Sequence, residues 1–255
     1  MRLQRFLAQA GVASRRQAEQ LIESGAVKVN GEAVTTLGTQ VSERSDRVEV
    51  NGRRVVPEKM IYRVLLKPRA CLATLQKSGD RPTLGRYLRD PEPGLQVVAP
   101  LDFPAEGLVL LTTDGELSEA IAKPVTRSRK GPRKAATESD SPEGLVMTYH
   151  LKLQGMVKDD DVMRLLRGWR WEGRQVRPQA VEPLAKTDKN TWIEMVVAET
   201  RPRALKAGGD LIRHSVLKIS RVRLGGISFE GLPMGGWRDL TKPEISDLKR
   251  RAGLD

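Results

Sequence analysis

A chain of 255 residues can form two ordinary domains or one large one, and a hydrophobic content of 39% is compatible with a packed core. Lys and Arg number 44 against 32 for Asp and Glu, and the resulting +12 points to a polyanionic partner, nucleic acid first, unless it is simply a basic solvated surface. Aromatics at 4% argue against extended base stacking, and the single Cys71 excludes an internal disulfide; with no signal peptide and no apolar run of membrane-spanning length, a soluble cytoplasmic protein without a membrane partner is expected.

Leu3, Phe6, Leu7 and Ala10 recur at helical spacing, and Gly11 ends that helix. Ser14 is a good N-cap for a second helix whose inner face is Ala18, Leu21 and Ile22. Val27-Lys28-Val29-Asn30-Gly31 and Val48-Glu49-Val50-Asn51-Gly52 each read as a strand entering an Asn-Gly hairpin turn. These elements make one small module over residues 1–60. Arg15 and Arg16, in the first turn of a helix, oppose its dipole unless an anion such as phosphate relieves them; the alternative is ordinary surface arginines.

Pro57 to Tyr62 reads as a linker, and a second domain over residues 61–255 opens with the strand Tyr62 to Leu66. Arg81-Pro82-Thr83-Leu84 starts a short helix. Asp102 then sits in a Pro-flanked turn before the buried strand Leu108 to Leu111, and a helix follows from Glu116 to Ala122. A carboxylate on a turn braced by a buried strand is one way to present a reacting group; the plainer reading is that Asp102 caps the turn. Residues 125–145 are rich in charge and poor in apolar side chains, which predicts a mobile insertion, either a basic finger on RNA or plain disorder. Beyond it, strands are expected at 146–153, 176–181 and 191–197, a helix from Asp159 to Gly168, and a last helix capped by Thr241. The order predicts an α+β fold, a small N-terminal module plus a mixed, mainly antiparallel sheet with flanking helices. His150 and His214 lack partners at metal-ligand spacing and no Gly-rich phosphate-binding motif occurs, so no metal, nucleotide or other cofactor is expected.

The run Leu3-Gln4-Arg5-Phe6-Leu7-Ala8, Gly11 to Glu19, Leu21-Ile22, Gly25 and Val27 to Gly31 resembles the αL RNA-binding module of ribosomal and RNA-modifying proteins. The resemblance implies that Arg5, Ser14, Arg15, Arg16, Lys28 and Asn30 face structured RNA.

Lys67-Pro68-Arg69, Leu101-Asp102, Glu106-Gly107-Leu108, Leu110-Leu111-Thr112, Asp114 to Leu117, Tyr149, and Leu232, Gly235, Trp237-Arg238, Leu240-Thr241, Glu244 and Leu248 together resemble the RsuA/RluB branch of pseudouridine synthases. The resemblance implies a monomeric isomerase that detaches a uracil in ribosomal RNA, or in a ribosome assembly intermediate, and rejoins it through carbon. It places Asp102 at the nucleophile, Tyr149 at the aromatic position that stacks on the flipped base and helps move a proton, and Lys206 where an arginine paired with that aspartate stands. Lys67, Arg69, Arg201 and Arg203 extend the implied RNA surface. This chain has Ala99-Pro100 where the family commonly has Gly-Arg, Ala105 for Thr, Met147 for Lys, and Lys206-Ala207 for two arginines. Those departures leave a second reading, a catalytically impaired RNA-binding protein of ribosome assembly.

Overall fold

The computed structural model describes residues 1–13, 15–42, 45–56, 60–122 and 145–254. The segment expected to be an insertion lies almost wholly outside the described residues, as do Ser14 and Pro57–Lys59 of the expected linker. Two compact units are formed, Met1–Met60 and Ile61–Asp255. Among the described residues no helix is long and apolar enough to cross a membrane.

In the first unit α1 (Leu3–Gln9) and α2 (Arg15–Glu23) precede β1 (Val27–Val29), β2 (Glu32–Ala33), β3 (Val48–Val50) and β4 (Arg53–Val55), an antiparallel sheet in the order β2-β1-β3-β4. Leu3, Phe6, Leu7, Ala18, Ile22, Val27 and Val48 form its core, so the helical spacing read from the sequence is the spacing that packs. Both Asn-Gly pairs turn as expected, with Asn30 and Gly31 at φ +54° and +92°, and Asn51 and Gly52 at +50° and +75°. Two successive left-handed residues give the backbone twist that matches paired strands.

The second unit runs β5 (Tyr62–Lys67), a single helical turn at Leu84–Tyr87, β6 (Gln96–Val98), β7 (Glu106–Thr112), α3 (Gly115–Ala122), β8 (Met147–Gln154) and α4 (Asp159–Arg167). It continues through β9 (Trp169–Trp171), β10 (Arg174–Val176), β11 (Ala180–Thr187), β12 (Asn190–Val197), α5 (Pro202–Leu211), β13 (Val216–Leu224), β14 (Ile227–Ser228), β15 (Trp237–Asp239) and α6 (Lys242–Arg251). The main sheet has the order β11-β12-β8-β13-β7-β5-β15, and its only parallel pair among the described strands is β13 with β7. β7 is the buried axis: from Gly107 to Thr112 every residue is buried.

Residues 176–181, expected as one strand, instead end the β9–β10 hairpin and start β11. β11 escaped sequence reading because it is an edge strand whose last six residues are exposed, with Pro183 beside a bulge, so no alternation marks it. Thr241 caps α6 in a capping box with Glu244, as expected.

Candidate active site

Cross-strand pairing brings side chains distant in sequence into one row. Arg221 of β13 is the partner of Tyr149 of β8 on one side and of Gly107 of β7 on the other, and Gly107 faces Lys67 of β5. Tyr149, Arg221 and Lys67 are fully buried. The connection from β6 to β7, which carries Asp102, is fastened to this row. Arg221 Nη2 donates to Ala99 O at 2.5 Å, and Lys67 Nζ donates to Ala105 O at 2.6 Å and, more weakly, to Phe103 O at 3.5 Å.

Only glycine fits at 107. Its φ is +118°, and an added Cβ would lie 2.3 Å from Arg221 O and 2.5 Å from Arg221 N, both backbone atoms that cannot swing aside. Gly107→Ala is expected to destabilise the second unit by about 3 kcal/mol, combining overpacking with a disfavoured φ. The urea midpoint followed by tryptophan fluorescence reads this directly, because Trp169, Trp171, Trp192 and Trp237 all lie in that unit.

Asp102 is not sealed in: its side chain is 28% exposed, and Oδ1 lies 3.8 Å from Arg203 Nε. The cation beside the aspartate is therefore Arg203, and Lys206 is not brought into contact with it. Arg203 stands in the first turn of α5, whereas Lys206 sits about 4.5 Å farther along the axis at 1.5 Å per residue. Lys206 is exposed and makes no ion pair with Asp102 among the described residues. A guanidinium thus attends the aspartate. The contact is loose, and Arg203 is 77% exposed, so it can still meet a phosphate.

Tyr149 is enclosed on all sides. Its hydroxyl donates to Glu199 O at 3.0 Å, and burial pushes its pKa up to about 12 although Arg221 opposes the shift. A phenol so held keeps its proton near neutral pH, and its ring offers no exposed face for a base. Tyr149 here is a wall that locks β8 to the segment before α5. Arg201, assigned to RNA, is committed to that same segment: Nε and Nη2 reach the two carboxylate oxygens of Glu199 at 2.9 Å, and its guanidinium stacks 4.3 Å from the Trp171 ring. Burial raises the Glu199 pKa, but the Arg201 hydrogen bonds outweigh it and hold the carboxyl below its usual range.

Lys67, also assigned to RNA, is likewise corrected: no part of it reaches solvent, because the last residue of β5 turns inward beneath the Asp102 connection. The neighbouring Arg69 is exposed and remains available to RNA. Burial pulls the Lys67 pKa down to about 8, below the unfolded value of about 10.4. Between those values the unfolded chain binds more protons, so this residue's contribution to stability rises with pH. Burial pushes the Cys71 thiol up, which works the opposite way above its unfolded value. The comparison must therefore be wild type against Lys67→Met. The difference in urea midpoint should move in favour of the wild type from about pH 7.5 to about pH 9.5, and parallel curves would contradict it.

In the first unit Arg16 and Lys28 are exposed and Arg5 is partly so, while the Arg15 side chain and Ser14 fall outside what is described. Asn30 is also exposed, but its amide is engaged internally: Nδ2 donates to Asp46 Oδ1 at 3.1 Å and Oδ1 accepts from Arg47 N at 2.8 Å. Its role here is to brace the loop before β3.

Two features of the site were not read from the sequence. One is Arg221, although Ile219 and Arg221 share a parity that should point inward along β13, and a charge at such a position was the available signal. The other is the backbone at Ala99, whose φ of +49° puts an alanine where about 1–2 kcal/mol favours glycine. Of the histidines, His150 pairs with Glu194 and His214 with Asp161 and Gln154 O, and no cluster of metal-ligating side chains occurs among the described residues.

Comparison with known proteins gives this geometry its class. Residues 1–48 match the S4 domain model. A solved pseudouridylate synthase has 26% sequence identity and a TM-score of 0.59, covering 97% of this chain and 99% of its own. An S4 domain followed by a pseudouridine synthase fold is the class. At 34% identity the whole chain matches an "uncharacterized RNA pseudouridine synthase" of Aquifex aeolicus over 96% of that protein, and at 33% identity 98% of it matches the ribosomal large subunit pseudouridine synthase B of Bacillus subtilis over 96%. The chain belongs to the RNA pseudouridine synthase family, in its RsuA/RluB branch.

Proposed function

We propose that the protein isomerises a uridine of ribosomal RNA to pseudouridine, with Asp102 as nucleophile. The observation that carries the reading is Asp102 itself, a solvent-reaching carboxylate beside Arg203, on a connection fastened from beneath by Arg221 and Lys67. In the net reaction the bond from C1′ to N1 breaks, a bond from C1′ to C5 forms, and the proton lost from C5 is balanced by one gained at N1. A carboxylate can attack the uridine and depart again, so each turnover returns the aspartate unchanged. Arg203, exposed and only loosely paired, stabilises the carboxylate and then contacts the phosphate flanking the turned-out nucleotide. Arg16, Lys28 and Arg69 hold the surrounding RNA.

The chain acts as a monomer in the cytoplasm, and the name of the Bacillus relative supports large-subunit RNA as the first substrate to try. Purified protein incubated with ribosomal RNA transcripts, then mapped by carbodiimide-adduct stops, tests the proposal. New stops at one or a few uridines are expected. RNA bound in a salt-sensitive way with no stop at any uridine, in transcripts and assembly particles alike, would refute it.

A further inference from the structure

We infer that Arg221 is a positioning residue for the isomerisation, a clasp that holds both ends of the Asp102 connection and keeps Ala99 left-handed. The inference rests on the reading of Asp102 as nucleophile and adds what sets that side chain's place. The connection from Val98 to Glu106 has an alanine at φ +49° followed by Pro100. An L-residue avoids that conformation, and a following proline pushes it further toward extended backbone. Ala99 must therefore be held there.

Arg221 supplies the hold. Its Nη2 donates to the Ala99 carbonyl, with both residues buried, so water does not compete for the bond. At the other end its own backbone abuts Gly107, so closely that a Cβ there could not be accommodated. One residue thus touches the chain three positions before Asp102 and five positions after it. Core stability does not explain the guanidinium. Burial pulls its pKa down, and Nε and Nη1 find no hydrogen-bond partner among the described residues. A well-packed apolar side chain of similar volume would serve the core at least as well. What it could not do is grip a carbonyl.

The distinguishing experiment is a double-mutant cycle in the full chain. Arg221→Met and Ala99→Gly are made singly and together, with kcat and KM measured on the modified RNA and hydrogen exchange followed at residues 97–106. Arg221→Met should lower kcat on the order of 100-fold with KM within about threefold, as expected for a displaced reacting group. In the Ala99→Gly background the same substitution should cost at least tenfold less, because glycine adopts the left-handed turn unaided. Exchange in the turn should quicken in Arg221→Met and slow again in the double variant. An equal loss of kcat in both backgrounds, or a loss carried by KM, would overturn the inference. If Arg221→Met does not fold, Arg221→Lys, which retains the charge but not the fork, makes the same comparison. Asp102→Asn serves as the control: full activity in that variant would sink the nucleophile reading, while the exchange data would still judge the clasp.

Discussion

Asp102→Asn is expected to abolish pseudouridine formation, with a loss in kcat on the order of 10⁴-fold or more, while RNA affinity stays within about twofold. The amide is nearly the same size as the carboxylate and the side chain is 28% exposed, so the connection keeps its shape and the variant folds. A neutral amide oxygen cannot act as the carboxylate does, and among the described residues the neighbouring side chains are otherwise engaged. Lys67 is turned to backbone carbonyls, Tyr149 holds its proton up to about pH 12, and Glu199 is occupied by Arg201. The ion pair to Arg203 cannot be the origin of so large an effect. At 3.8 Å, with Arg203 77% exposed, it is screened by water and worth little. Carbodiimide mapping with a filter-binding titration separates the two quantities. Stops of wild-type strength in the variant would move the nucleophile elsewhere.

The sequence carried the elements far better than it carried the site. Apolar spacing in α1, the two Asn-Gly turns and the unbroken apolar run of β7 are local signals, and each marks a structure formed by neighbours in the chain. The row of Tyr149, Arg221, Gly107 and Lys67 is not local: it depends on the β8-β13-β7-β5 order, which no window of the sequence contains. Hence the resemblance implies Lys67 as an RNA contact, whereas its strand end turns it inward. Likewise an aligned position fixes a residue's place in the chain and not how far up α5 the aspartate lies, so Arg203 rather than Lys206 is the residue that stands beside Asp102. Arg203, at 3.8 Å, is the cation that the fold sets beside the aspartate.

The largest stability effect is expected one strand away from the chemistry, at Asp114. This carboxylate follows β7 and is 4% exposed; Oδ2 accepts from Tyr62 Oη at 2.6 Å and from Lys249 Nζ of α6 at 2.8 Å. Oδ1 accepts from the backbone N–H of Glu116 and Leu117 at 3.1 Å, capping α3. One side chain therefore ties β5, α3 and α6 together. Asp114→Ala leaves a largely buried ammonium, a phenol and two amides without their acceptor, and should destabilise the second unit by about 3–5 kcal/mol. That exceeds what the loss of the helix cap alone would do, about 1 kcal/mol. The pH dependence identifies the cause. Burial alone would raise the Asp114 pKa, but Lys249, Tyr62 and the Leu117 amide together hold it below its ordinary value. A carboxyl lowered in the folded state contributes stability that is present above its unfolded pKa of about 3.9 and is lost as pH falls through the folded value. Glu244, whose carboxyl Arg238 holds down at about 2, and Asp247 lose their contributions over the same acid range, so wild type must be compared with Asp114→Asn rather than read alone. Urea midpoints by tryptophan fluorescence should converge as pH drops below about 4, with the wild type falling faster. If the gap between the two proteins stays constant down to the acid limit, the ionised carboxylate is not what fastens α6 to the sheet.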